Sequence, residues 1–103
     1  MANQAAERMD EALPRVTAQD VWVEDGFLGA GYGVLGAPEI EAIRLFAKHE
    51  GLLLDPVYTG RAAAGLISLI RAGTFRRDES VLFWHTGGTP ALFASVYAAQ
   101  LQE

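Results

Sequence analysis

The chain has 103 residues, half of them hydrophobic and a fifth charged, with 11 Gly, 4 Pro and no Cys. That length allows one small domain at most, and the hydrophobic share excludes a disordered tail. The absence of Cys excludes disulfides, thiolate zinc sites and a cysteine nucleophile, and two distant histidines argue against any metal site. A net charge of -5 argues against nucleic acid, whose binding rests on Lys and Arg meeting phosphates. No apolar run approaches the roughly 20 residues that span a bilayer. The opening residues show no basic start followed by an apolar stretch, so the expectation is a cytoplasmic protein without signal peptide or membrane partner. Lys48 is the single lysine.

In chain order, residues 1–13 suit a short surface helix that Pro14 ends, because the residue before a proline is pushed out of the α region. Val21–Val23 reads as briefly extended. Gly26–Gly33 carries four glycines in eight residues and reads as a loop suited to close approach of backbone to a ligand. The clearest helix is 38–50. Pro38 suits its first position, Glu39 and Glu41 its positive end, Lys48 and His49 its last turn, and Gly51 a left-handed cap. Its faces separate Ile40, Ile43 and Ala47 from Glu41, Arg44 and Lys48.

Leu52–Leu54 has the length and flanks of a buried strand, followed by an Asp55-Pro56 turn. A helix over about 60–72 would bury Ala63, Leu66, Ile67 and Ile70 and close at Gly73. Residues 76–79 form a charged turn. Val81–Trp84 reads as a second strand, apolar throughout as in a sheet covered on both faces. A last helix runs from Pro90, capped by Thr89, to about Leu101. The alternation predicts an α/β fold with parallel strands, incomplete in this chain because so few strands want neighbours on both sides.

Ligands of open α/β sheets bind beyond the carboxyl ends of the strands. Two loops qualify, 55–60 and 85–90, each leading into a helix N-terminus that attracts anions. On these residues alone, Gly87-Gly88 could serve a small phosphate-binding module. Thr59 could be a helix cap, Thr86 a turn residue, Tyr58 a buried ring and His85 a packed group. Tyr32, set between two glycines, is less natural as a core residue.

Taken together, Glu50-Gly-Leu-Leu-Leu-Asp-Pro-Val-Tyr-Thr-Gly60, Val81-Leu-Phe-Trp-His-Thr-Gly-Gly88, Gly31-Tyr-Gly33 and Glu41-Ala-Ile-Arg44 resemble, in the same order, the C-terminal part of the D-cysteine desulfhydrase and 1-aminocyclopropane-1-carboxylate (ACC) deaminase family. The resemblance runs from about residue 15 to residue 98. It implies the C-terminal part of a three-layer parallel-sheet domain of the tryptophan-synthase β type, with residues 1–14 as a separate helix and turn and 15–103 as a segment of a pyridoxal-phosphate-binding domain. It implies pyridoxal phosphate as cofactor, an amino acid such as D-cysteine as substrate, and a homodimer for the intact enzyme. Tyr32 and Tyr58 match the family's substrate-facing tyrosines. Thr86, Thr59 and Gly87 fall at the cofactor, with Thr86 partnering the pyridine nitrogen. ACC deaminases carry an acidic residue at the position of Thr59 and an apolar one at that of Thr86, so the two threonines favour the desulfhydrase, which releases pyruvate, hydrogen sulfide and ammonia. The Schiff-base lysine of the family comes from an earlier part of the chain. Lys48, on a polar helix face beside Arg44, matches no catalytic position. The expectation is an enzyme segment inactive alone, or a non-catalytic remnant that is unfolded or folds only through self-association.

Overall fold

The computed structural model describes residues 1–102. Helix α1 spans Ala2–Met9, α2 Ala37–Glu50, α3 Thr59–Arg71 and α4 Ser95–Leu101, with 3-10 turns at Ala18–Asp20 and Thr89–Phe93. Among the described residues there is no strand. The parallel α/β sheet expected from the sequence is therefore not what this chain forms.

The reason lies in what Leu52–Leu54 and Val81–Trp84 can reach. A sheet is held by ladders of backbone hydrogen bonds and gains independent stability only from about three strands upward. These two segments exchange no backbone hydrogen bond. The first segment is instead touched from beyond the second, by the Thr89 hydroxyl donating to the Leu53 carbonyl at 3.3 Å. Packing against helices decides instead where they lie. Leu54 is fully buried beneath α2 and α3 with Ala42, Ile43, Ala63 and Ala64, and Phe83 packs against that core. The Phe83 ring stands 5.3 Å, centroid to centroid, from Phe46 of α2. Leu82 and Trp84, which alternate with Phe83, are 82% and 76% exposed.

Helices α2 and α3 pack on each other and form the frame. Helix α2 begins after Gly36, has Pro38 in its first turn, and ends at Gly51 in the left-handed conformation (φ 66°), as its sequence signals predict. Helix α3 starts one residue before the predicted helix, and its buried side differs from the expected stripe. Ala63 and Ala64 are buried while Ile70 is 53% exposed. Small residues on the contact face let the two helix backbones approach closely, which the larger Leu66–Ile70 stripe would prevent. The predicted last helix is broken in two. Ala94 is extended (φ -66°, ψ 132°), separating the Thr89–Phe93 turn from α4.

At the N-terminus α1 stops at Asp10, well before Pro14. The Asp10 carboxylate accepts the Ala12 amide at 2.9 Å, and Asn3 pairs through its side-chain amide with both backbone groups of Val16. The molecule as a whole is open. Its radius of gyration is 16.3 Å, against about 13 Å for a compact domain of this length. Its accessible surface is 7922 Å², against about 5,700 Å² for a folded monomer of this mass.

Candidate functional site

The chain between Leu54 and α3 is organised by one carboxylate. Asp55, 1% exposed, accepts the amides of Val57 (2.8 Å) and Tyr58 (2.7 Å) on Oδ1 and that of Thr59 (2.7 Å) on Oδ2. It thereby satisfies N–H groups at the start of α3 that have no partner within the helix. Burial disfavours its charge, but the Thr59 hydroxyl and the amides of Thr59, Tyr58 and Val57 outweigh this and hold the carboxyl below its usual range. Thr59, 4% exposed, donates its hydroxyl to Asp55 Oδ2 at 2.7 Å and accepts the Asp55 amide at 2.8 Å. The Thr59 side chain therefore faces inward and is committed to the turn.

The 85–90 loop closes on the same carboxylate. Gly88 has φ 98°, a backbone setting that favours glycine, and a β-carbon there would fall 2.8 Å from Asp55 Cγ. Any larger residue would displace either the loop or the aspartate. Gly87, with φ 104°, continues the same turn, and Thr86 just before it is exposed and makes no hydrogen bond among the described residues. The two loops singled out in the sequence thus meet through Asp55 and Gly88, with Thr59 beneath the surface and Thr86 on it.

The glycine-rich loop brings a third side chain to this place. Tyr32, 79% exposed, and Tyr58, 61% exposed, have their hydroxyls hydrogen-bonded to one another. Their rings are 5.8 Å apart between centroids and 68° between planes, an edge-on arrangement. Donation of its proton to Tyr32, the electrostatic influence of Tyr32, a little desolvation and the negative Asp55 together push the Tyr58 phenol up from its ordinary value. Tyr58 is therefore a protonated hydrogen-bonding group at neutral pH. The two tyrosines that sequence reasoning placed toward substrate, 26 positions apart, are in contact. Beside them, Phe27, Leu28, Tyr58, Arg61, Gly65 and Leu66 line an open, mainly apolar groove of about 490 Å³.

The sequence marks Glu39 only as a first-turn charge and Arg61 not at all. Glu39 is 5% exposed and accepts the Gly36 amide at 3.0 Å and Arg61 Nε at 3.1 Å. The Arg61 guanidinium also donates to the carbonyls of Leu28, Gly31 (3.1 Å) and Val34 (2.8 Å). Gly29 sits against it with φ 63°, and a β-carbon there would come 2.9 Å from Arg61 Nη2. From α4, the Tyr97 hydroxyl donates to the Gly33 carbonyl at 2.9 Å. Apart from the local contact of Glu39 with Gly36, nothing in the local pattern marks these pairs, whose partners lie 22 to 64 positions apart.

No protein-family model matches the chain. The D-cysteine desulfhydrases of Salmonella newport (strain SL254), Salmonella heidelberg (strain SL476) and Salmonella agona (strain SL483) are each 52% identical to it over 82 residues, which is 80% of this chain and 25% of theirs. The chain is homologous to a quarter of D-cysteine desulfhydrase. The family resemblance read from the motifs is thus supported by whole-segment identity, over a quarter of the relatives' length.

D-cysteine desulfhydrases are pyridoxal-phosphate enzymes, and the residues present meet only part of what that cofactor needs. The free Thr86 hydroxyl is chemically suited to an uncharged pyridine nitrogen, and Tyr32 and Tyr58 offer phenols at one edge. A lysine amine is required to carry the cofactor, and Lys48 does not supply it there. It is exposed on α2 and lines a different surface depression with Ala37, Ile40, Arg44 and His49. Among the described residues no lysine stands beside Thr86 or the tyrosine pair. No helix among the described residues is long and apolar enough to cross a membrane.

Proposed function

We propose that this chain supplies the substrate-facing side of a D-cysteine desulfhydrase-type active site and is inactive by itself. The contact between the Tyr32 and Tyr58 hydroxyls carries this reading, because residues from separate segments converge on one exposed point beside an open groove. The 52% identity to D-cysteine desulfhydrases supports the same assignment. When bound in an intact enzyme, pyridoxal phosphate would supply the electron sink for loss of sulfide from the β-carbon.

The part of this chain is to bind and orient. The hydroxyl pair uses one of its two protons internally, so the other remains to be donated to the amino acid, and each ring fixes the direction of its neighbour. Thr86 would offer the pyridine nitrogen of a bound cofactor a neutral hydroxyl, and Gly87 would set no side chain against its ring. Thr59 acts one layer below, holding Asp55 and so the turn that aims Tyr58. In this reading residues 15–103 belong to the cofactor-binding domain, residues 1–14 are accessory, and the enzyme works as a cytoplasmic homodimer on D-cysteine. The exposed position of Lys48 favours inactivity of the separate chain.

The test is a chimera in which this chain replaces the matching stretch of the Salmonella newport relative. Sulfide and pyruvate released from D-cysteine support the reading. A folded, cofactor-loaded chimera that releases neither overturns it. Ammonia and 2-oxobutanoate formed from ACC in preference to sulfide from D-cysteine would move the assignment to the ACC deaminase side of the family.

A further inference from the structure

Tyr32 lies between Gly31 and Gly33, so neighbouring side chains do little to hold it. Its backbone is held from outside. The carbonyls of Leu28, Gly31 and Val34 bracket Tyr32, and all three accept hydrogen bonds from Arg61. Arg61 stands in the first turn of α3, three positions after Tyr58, which caps that helix. The side chains of Arg61 and Glu39 are 15% and 6% exposed, and their ion pair fixes the guanidinium against α2. One planar cation therefore joins the loop bearing Tyr32 to the helix end bearing Tyr58.

We infer that Arg61 is the positioning residue of the tyrosine pair: held by Glu39, its guanidinium sets the Tyr32 hydroxyl against the Tyr58 hydroxyl. The inference deepens the functional reading above and rests on it only for the purpose the pair serves. The geometry calls for arginine in particular. Guanidinium presents five N–H donors in a rigid fork and spans several acceptors at once, whereas an ammonium is a point charge with three donors. The bond from Tyr97 to Gly33 anchors the far side of Tyr32 but gives no link to α3.

The experiment uses the 103-residue chain with isotope-labelled tyrosine, whose three ring signals are assigned by single Tyr→Phe variants. Ring-to-ring cross-relaxation between Tyr32 and Tyr58 is measured, and each phenol is titrated, in wild type, Arg61→Gln and Arg61→Lys, with helix content followed by circular dichroism. In Arg61→Gln the ring-to-ring signal is expected to disappear and Tyr58 to titrate at the ordinary phenol value, with the ring signals of Tyr97 staying in place. Should Arg61→Gln lose its helical signal, Arg61→Lys decides the matter. Its ammonium still pairs with Glu39 and preserves the helix packing, yet it cannot span the three carbonyls, so the tyrosines separate. A helical Arg61→Lys, or a helical Arg61→Gln, that keeps the ring-to-ring signal and the late Tyr58 titration overturns the inference. No substrate or cofactor enters these measurements. A failure here therefore leaves the lyase assignment standing, and an inactive chimera leaves this result standing.

Discussion

Asp55 and Thr59 hydrogen-bond each other in both directions. The Thr59 amide and hydroxyl donate to Asp55 Oδ2, and the Asp55 amide donates to the Thr59 hydroxyl. Two loops and a helix start are built on this exchange, because Gly88 packs on the Asp55 carboxylate and Tyr58 leaves the turn it creates.

Replacing Asp55 by Ala removes the acceptor for three amides and one hydroxyl at once. Loss of a capping acceptor costs about 1–2 kcal/mol, and the buried amides left behind push the figure to the upper end. The denaturation midpoint in urea should fall accordingly. Gly88→Ala should also destabilise, through its positive φ and its approach to Asp55.

The same carboxylate sets an acid dependence. Asp55 has a lower pKa folded than unfolded, so its charge stabilises the fold fully above the unfolded value of about 3.9. That contribution is lost as pH falls from there through the lower folded value. Asp55→Asn should show a shallower loss of stability over this acidic window than wild type, and the two should run parallel near neutral pH. Denaturant midpoints across the acidic range measure it.

Exposed apolar side chains predict association. Leu82, Trp84 and Phe93 are each more than three-quarters exposed, and burial of one such side chain is worth about 1.5–3 kcal/mol. The separate chain should self-associate with rising concentration. Leu82→Lys together with Trp84→Lys should weaken that association by at least about tenfold, a factor that corresponds to 1.4 kcal/mol. Sedimentation velocity at several concentrations reads both.

The helices were legible in the sequence where local signals act alone. Pro38 and Gly51 bracket α2 correctly because a restricted φ and a left-handed cap are properties of single residues. Leu52–Leu54 and Val81–Trp84 were misread because apolar runs of three or four residues report burial, and burial is what they have in part. Whether they join a sheet depends on neighbours that local pattern does not contain. The family motifs single out Tyr32 and Tyr58, and the structure brings these two side chains into contact. Thr59 was also picked out, but its buried hydroxyl serves Asp55, a role that the simple capping reading of this position came near. Arg61 was missed because its acceptors are backbone carbonyls, which no residue identity announces.

Thr86 offers a direct contrast between the two branches of the family. In the chimera with the Salmonella relative, Thr86→Leu would remove the hydrogen bond proposed for the ring nitrogen, and loss of one such bond corresponds to about a tenfold effect. Sulfide release from D-cysteine should drop by about that factor. Undiminished release would remove Thr86 from the cofactor's partners.

The central claim is that the paired tyrosines face the substrate. The decisive measurement is kcat and KM for D-cysteine in the chimera carrying Tyr58→Phe, which keeps the ring and deletes the hydroxyl. A hydrogen bond from a positioned phenol to a charged substrate is worth about 1.5–3 kcal/mol, on the order of 10- to 100-fold. The account predicts a fall of about that size in kcat, with cofactor loading and helix content retained. A Tyr58→Phe chimera that turns over D-cysteine at the rate of the unsubstituted chimera would contradict it.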